Sequence, residues 1–123
     1  MALTQERITV LIVDDSEDQL NLLRSHFERA GCDVVSADTA ESAILAYEND
    51  KPDLAVIDLM LPGMTGWELA SRLRSRHPDC PVAISSVLDE DSYPVTEAAL
   101  PKPVTRETVR RVLSLCVPRW SAP

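Results

Sequence analysis

A chain of 123 residues, 45% hydrophobic and 26% charged, is long enough for one domain with one buried core, and no separate output domain is expected. Twenty acidic against twelve basic residues give a formal charge of -8, and no Lys/Arg stripe interrupts it. Direct binding to nucleic acid or to an anionic membrane is therefore not expected, and the partner should be a protein.

In chain order, Ile8-Thr9-Val10-Leu11-Ile12-Val13 predicts a strand buried on both faces, of the kind parallel sheets use, and Asp14 and Asp15 close it. Ser16 to Gln19 has capping-box spacing, and Leu20, Leu23, Phe27 and Ala30 recur at helical intervals until Gly31 stops the helix. Val34-Val35 is a short second strand. Thr39 caps a helix through Asn49 with Ala43, Ile44 and Tyr47 on its apolar side, and Lys51-Pro52 turns the chain into Leu54-Ala55-Val56-Ile57, a third buried run that Asp58 closes. Pro62-Gly63 marks a loop. Thr65 to Glu68 repeats the capping-box spacing before a helix with Leu69, Ala70 and Leu73 inward, which His77-Pro78 ends. Pro81 to Ser85 makes a fourth strand. Thr105 begins a last helix with Val109, Val112, Leu113 and Cys116 on one face, stopped by Pro118.

This is β/α alternation. No stretch approaches the roughly eighteen apolar residues that span a bilayer, and no basic leader opens the chain, so a cytoplasmic location is expected. Cys32, Cys80 and Cys116 are odd in number and lack CxxC or Cys/His spacing, which predicts buried, reduced thiols rather than disulfides or a zinc site. His26 and His77 read as helix-surface residues, and Trp67 as a partly buried packing residue.

Asp14, Asp15 and Asp58 thus close the first and third strands, whose carboxyl ends open onto the crevice where open α/β sheets bind ligands. Three like charges converging there repel one another strongly unless a cation sits among them, and a hard divalent metal is the obvious candidate. Taken alone, paired acids after a strand equally suit a helix N-terminus, which favours negative charge.

Val13-Asp14-Asp15, Asp58-Leu59-Met60-Leu61-Pro62-Gly63-Met64-Thr65-Gly66 and Lys102-Pro103, in that order through five βα units, resemble the receiver domain of two-component response regulators. The resemblance runs from about Ile8 to Val117. It implies a flavodoxin-like, doubly wound α/β fold with a five-stranded parallel sheet in the order 2-1-3-4-5, one domain over residues 1–123 with its core at about 8–117. Asp58 would be the phosphoacceptor, attacking a phosphohistidine, with Lys102 and Ser86 meeting the phosphoryl oxygens and Lys102-Pro103 in the cis form. Mg²⁺ would be bound by Asp15 and Asp58 directly, by Asp14 mostly through water, and by the backbone carbonyl of Met60. The implied partners are a sensor histidine kinase or phosphotransfer protein and a downstream protein target. On this reading the chain stands alone as a signalling domain, not an enzyme, that assists its own phosphotransfer and dephosphorylation.

Ser85 competes with Ser86 if the strand register slips by one. A phosphorylation-independent interaction module is the main alternative. A flavodoxin-like redox protein or an aspartyl-nucleophile phosphohydrolase fits less well. The three glycines, Gly31, Gly63 and Gly66, build no glycine-rich phosphate loop, and Asp58-Leu59-Met60 has no second acid two residues on.

One segment departs from the family. Only fifteen residues separate Ser86 from Lys102, and both Pro94 and the polar Asp89-Glu90-Asp91-Ser92 run oppose a helix there. A fourth helix reduced to about one turn, or replaced by a loop, is predicted. Ala99 stands where the family places a switch aromatic, so that Tyr93 is the aromatic left to take the role from another position. Pro101 removes a ladder donor and predicts a short or irregular fifth strand. Val87, where the family has a small residue, narrows access to Asp58.

Overall fold

The computed structural model describes residues 7–123; the expected domain start at residue 1 lies outside the described residues. The elements follow in the order β1 (Thr9–Val13), α1 (Glu17–Arg29), β2 (Asp33–Ala37), α2 (Ala40–Asp50), β3 (Leu54–Ile57), α3 (Gly66–Arg76), β4 (Val82–Ile84), a 3₁₀ turn (Glu90–Ser92), β5 (Ala98–Ala99) and α4 (Arg106–Cys116). All strand pairs are parallel, and the five strands lie in the order β2-β1-β3-β4-β5. This is the expected flavodoxin-like sheet.

Alternation along the central strands explains why the apolar runs are continuous. Val10, Ile12, Leu54, Val56 and Ala83 face one side, where they pack with Leu23 and Phe27 of α1 and Val109, Val112 and Leu113 of α4. Leu11, Val13, Ala55, Ile57, Val82 and Ile84 face the other, against Ala43 and Tyr47 of α2 and Leu69, Ala70 and Leu73 of α3. A strand covered on both faces has no polar side to show. The four helices form within a residue or two of the bounds their sequence predicts. Ser16, Thr39, Thr65 and Thr105 each accept the N–H three residues on, which satisfies one of the open donors of the first turn. At the other end of α1, Gly31 takes φ +89°, a left-handed turn into β2.

The short segment behaves as the proline and the polar run require. In place of a fourth helix there is the single 3₁₀ turn, and β5 is two residues long. The loop is nonetheless well anchored. The Trp67 indole N–H donates to the Ser92 carbonyl at 3.1 Å, and Glu97 holds Arg74 at 2.6 Å and accepts the Val82 N–H at 2.9 Å. Three cysteines are free; Cys32 and Cys80 are buried as expected, while Cys116 is only half-buried. His77 is less of a surface residue than its sequence suggests, since its ring stacks on that of Tyr47 with centroids 4.2 Å apart.

Candidate functional site

The register that pairs Val13 with Ile57 brings the ends of β1 and β3 side by side. Asp14, Asp15 and Asp58 each offer an oxygen within 4.8 Å of the others. Asp14 and Asp58 are buried and Asp15 is exposed. Two of the three carboxylates are already partly committed. Asp14 Oδ1 accepts the Ser16 N–H at 2.9 Å and its Oδ2 lies 2.6 Å from Lys102 Nζ; Asp58 Oδ1 accepts the Met60 N–H at 3.3 Å and its Oδ2 lies 3.7 Å from the same ammonium. Lys102 is carried there by the turn after β5, which ends in the cis Lys102-Pro103 bond and is tied to the segment just after β4 by the Lys102 N–H on the Ser86 carbonyl at 3.0 Å.

Burial raises the Asp58 carboxyl above the ordinary Asp range, Lys102 and the Met60 N–H pull it down, and the charges of Asp14 and Asp15 push it up; the net direction is upward. One ammonium does not offset three carboxylates. The set suits a hard cation, because it is all oxygen and its exposed member, Asp15, leaves room for the waters such an ion keeps.

Ser86 is fully buried, and its Oγ accepts the Leu88 N–H at 3.2 Å, while among the described residues its hydroxyl hydrogen meets no acceptor. Ser85 is also buried, and its Oγ has no hydrogen-bond partner among the described residues. The Tyr93 hydroxyl donates to the Ser86 carbonyl at 2.8 Å and accepts the Ser86 N–H at 3.2 Å, so it takes both backbone groups of one residue. Tyr93 therefore contacts Ser86, although it reaches it from the 3₁₀ turn and not from β5. Tyr93→Phe leaves a buried N–H without its partner and should destabilise the protein by about 1–3 kcal/mol, read from urea denaturation; hydrogen exchange in residues 87–97 should accelerate with it.

Sequence reasoning included Gly66 in the motif that starts at Asp58 but gave it no role in the site. Its N–H donates to the Leu59 carbonyl at 3.0 Å, and a Cβ on it would fall 2.2 Å from the Asp58 carbonyl oxygen. The start of α3 thus packs directly on the backbone of Asp58. The available signal was a glycine at a first helical position, where a side chain costs little unless something else is near.

A larger groove of about 760 Å³, lined among others by Tyr47, His77, Cys80 and Cys116, shares no residue with the acidic cluster. Burial pushes the Cys116 thiol up to about 11 and raises Cys80 as well, which favours the protonated form of both at neutral pH.

A profile of the response regulator receiver domain matches residues 10–113. The chain belongs to this family. The receiver is 39% identical over 82 residues to the alkaline phosphatase synthesis transcriptional regulatory protein PhoP of Bacillus subtilis (strain 168), covering 67% of the receiver and 34% of PhoP. It is 31% identical over 110 residues to the autoinducer 1 sensor kinase/phosphatase LuxN of Vibrio campbellii, covering 85% of the receiver and 13% of LuxN. The receiver thus spans about a third or less of these relatives. A CheY-like response regulator receiver domain from Methylobacillus flagellatus shares the fold, with a TM-score of 0.81, 21% identity, and coverage of 89% of this chain and 98% of that one. Such domains serve two-component signalling. Among the described residues no helix is long and apolar enough to cross a membrane.

Proposed function

We propose that this receiver accepts a phosphoryl group from a phosphohistidine of a sensor kinase or phosphotransfer protein onto Asp58, and signals through contacts with a downstream protein. The observation that carries the reading is the convergence of Asp14, Asp15 and Asp58, with the Lys102 ammonium against Asp14 and Asp58. An Asp58 carboxylate oxygen attacks phosphorus, the phosphorus–nitrogen bond breaks, and its electron pair returns to the histidine ring. The Met60 N–H on Asp58 Oδ1 orients the carboxylate and leaves Oδ2 to attack. Lys102 neutralises charge on the phosphoryl oxygens, and the hydroxyl hydrogen of Ser86 donates to one of them. Mg²⁺, held by Asp15 and Asp58, by Asp14 through water and by the Met60 carbonyl, would add charge neutralisation at the transferring group.

A second reading is a receiver-like module read through a constitutive surface, and the anchoring of residues 87–97 by Trp67, Tyr93 and Glu97 favours it. Intact mass after incubation with Mg²⁺ and a small phosphodonor or a phosphorylated kinase separates the two. Wild type should gain one base-labile phosphoryl group and Asp58→Asn none. A folded wild type that gains nothing from any donor would support the module.

A further inference from the structure

In a chain of formal charge -8, one furrow collects four basic side chains. His26 and Arg29, from the last turn of α1, and Arg106 and Arg110, from the first half of α4, line a concavity of about 290 Å³ completed by Ala30 and Pro123. Among the described residues no Asp or Glu lines it. Arg7, Arg24, Arg74, Arg76 and Arg119 each reach an Asp or Glu, whereas among the described residues Arg29, Arg72, Arg106, Arg110 and Arg111 have no such ion pair, and three of these five line the furrow.

The placement is locally unfavourable for α4. Arg106 occupies its first position, where the helix dipole disfavours a cation, and Arg110 lies one turn on, where two like charges repel. The first turns of α1, α2 and α3 carry acids and no bases. Glu107 stands in the same turn of α4 but lines no part of the furrow. Glu107 offsets part of that cost, yet α4 still carries two arginines in its first five positions, where α1, α2 and α3 carry none.

We propose that this furrow docks an acidic segment of a partner protein, with adjacent Asp or Glu side chains entering between Arg29, Arg106 and Arg110. The planar guanidinium fork matches a carboxylate in two parallel hydrogen bonds, which a point charge does not. The furrow sits at the lower end of ligand-pocket volumes, so it holds a few side chains and not a helix. A long polyanion would meet the acidic remainder of the surface on either side, whereas a peptide confines its charge to the furrow. No residue of the furrow belongs to the acidic cluster, so this proposal stands or falls separately from phosphoryl acceptance.

Fluorescence anisotropy on the full chain, with a labelled peptide carrying paired glutamates and its glutamine counterpart, tests the assignment. The glutamate peptide should bind about tenfold tighter or more, and added salt should weaken it. Arg106→Gln/Arg110→Gln should lose about tenfold with its melting curve intact, while Arg72→Gln on α3 keeps wild-type affinity. Equal affinity for the two peptides, or equal losses in the Arg72 and Arg106/Arg110 variants, would overturn the proposal. So would tighter binding of phosphatidylserine vesicles or a DNA oligonucleotide at the same Arg106 and Arg110 side chains.

Discussion

Lys102→Met should lower the stability of the metal-free protein by about 3–5 kcal/mol, the cost of removing one partner from a buried ion pair. The Lys102 side chain is 9% exposed and that of Asp14 1%, with 2.6 Å between them, so solvent does little to screen the loss. With the ammonium gone, the three carboxylates face one another without a counter-charge. At the scale of this chain the change corresponds to a fall in melting temperature of about 10–20 °C. Millimolar Mg²⁺ should return more of that fall in the variant than it adds to wild type, because a cation bound to the folded state stabilises it by mass action. Melting curves in chelator and in Mg²⁺ check both parts. A variant that melts as wild type does in chelator would mean that the ammonium is not a structural counter-ion.

The same cluster sets a pH dependence. The Asp58 carboxyl is raised in the folded state, chiefly by burial, against the pull of Lys102. A raised carboxyl favours the folded state fully below the ordinary Asp range, and that contribution is lost as pH rises through the elevated value. Metal-free protein should therefore lose stability from this group on passing from acid to neutral pH, and Asp58→Asn should remove the loss.

Gly66→Ala should destabilise the protein by about 1–3 kcal/mol or more and disturb phosphoryl acceptance with it. The added Cβ would lie 2.2 Å from the Asp58 carbonyl oxygen and 2.5 Å from the Leu59 Cα. Both are backbone atoms, so no side-chain rotation relieves the contact. Either α3 lifts off the third strand or the Asp58 loop shifts, and the second response moves the carboxylate away from Asp14 and Asp15. Ordinary helix propensity points the other way, since alanine favours a helix over glycine by about 1 kcal/mol. A stabilised variant would show that the loop yields freely. Chemical denaturation and the phosphorylation-dependent mass gain, measured together, distinguish the outcomes.

The fold was largely legible because its signals are local. Runs such as Leu54 to Ile57 can be continuous only in a strand covered on both faces, and Ser16, Thr39, Thr65 and Thr105 mark helix starts by hydroxyls that do cap them. The loss of the fourth helix was readable from Pro94 and the polar run before it. What sequence alone could not supply was contact between segments. That the Tyr93 hydroxyl holds both backbone groups of Ser86, and that Gly66 underlies Asp58, depend on packing between elements. The choice between Ser85 and Ser86 was similarly open, and the structure adds an unpartnered Ser85 hydroxyl beside the Ser86 that the motif favours.

The sheet's two outer strands carry a consequence for how partners attach. The β5 edge is two residues long, is followed within two residues by Pro101, and has the Ala99 carbonyl taken by the Arg111 guanidinium at 3.1 Å. On the opposite edge, Arg24 donates to the Val34 carbonyl of β2 at 3.3 Å. An incoming strand would have to displace an arginine from either border before any ladder could grow, which shields the molecule from edge-to-edge aggregation. Recognition of this receiver is thereby left to side chains on its helices and loops.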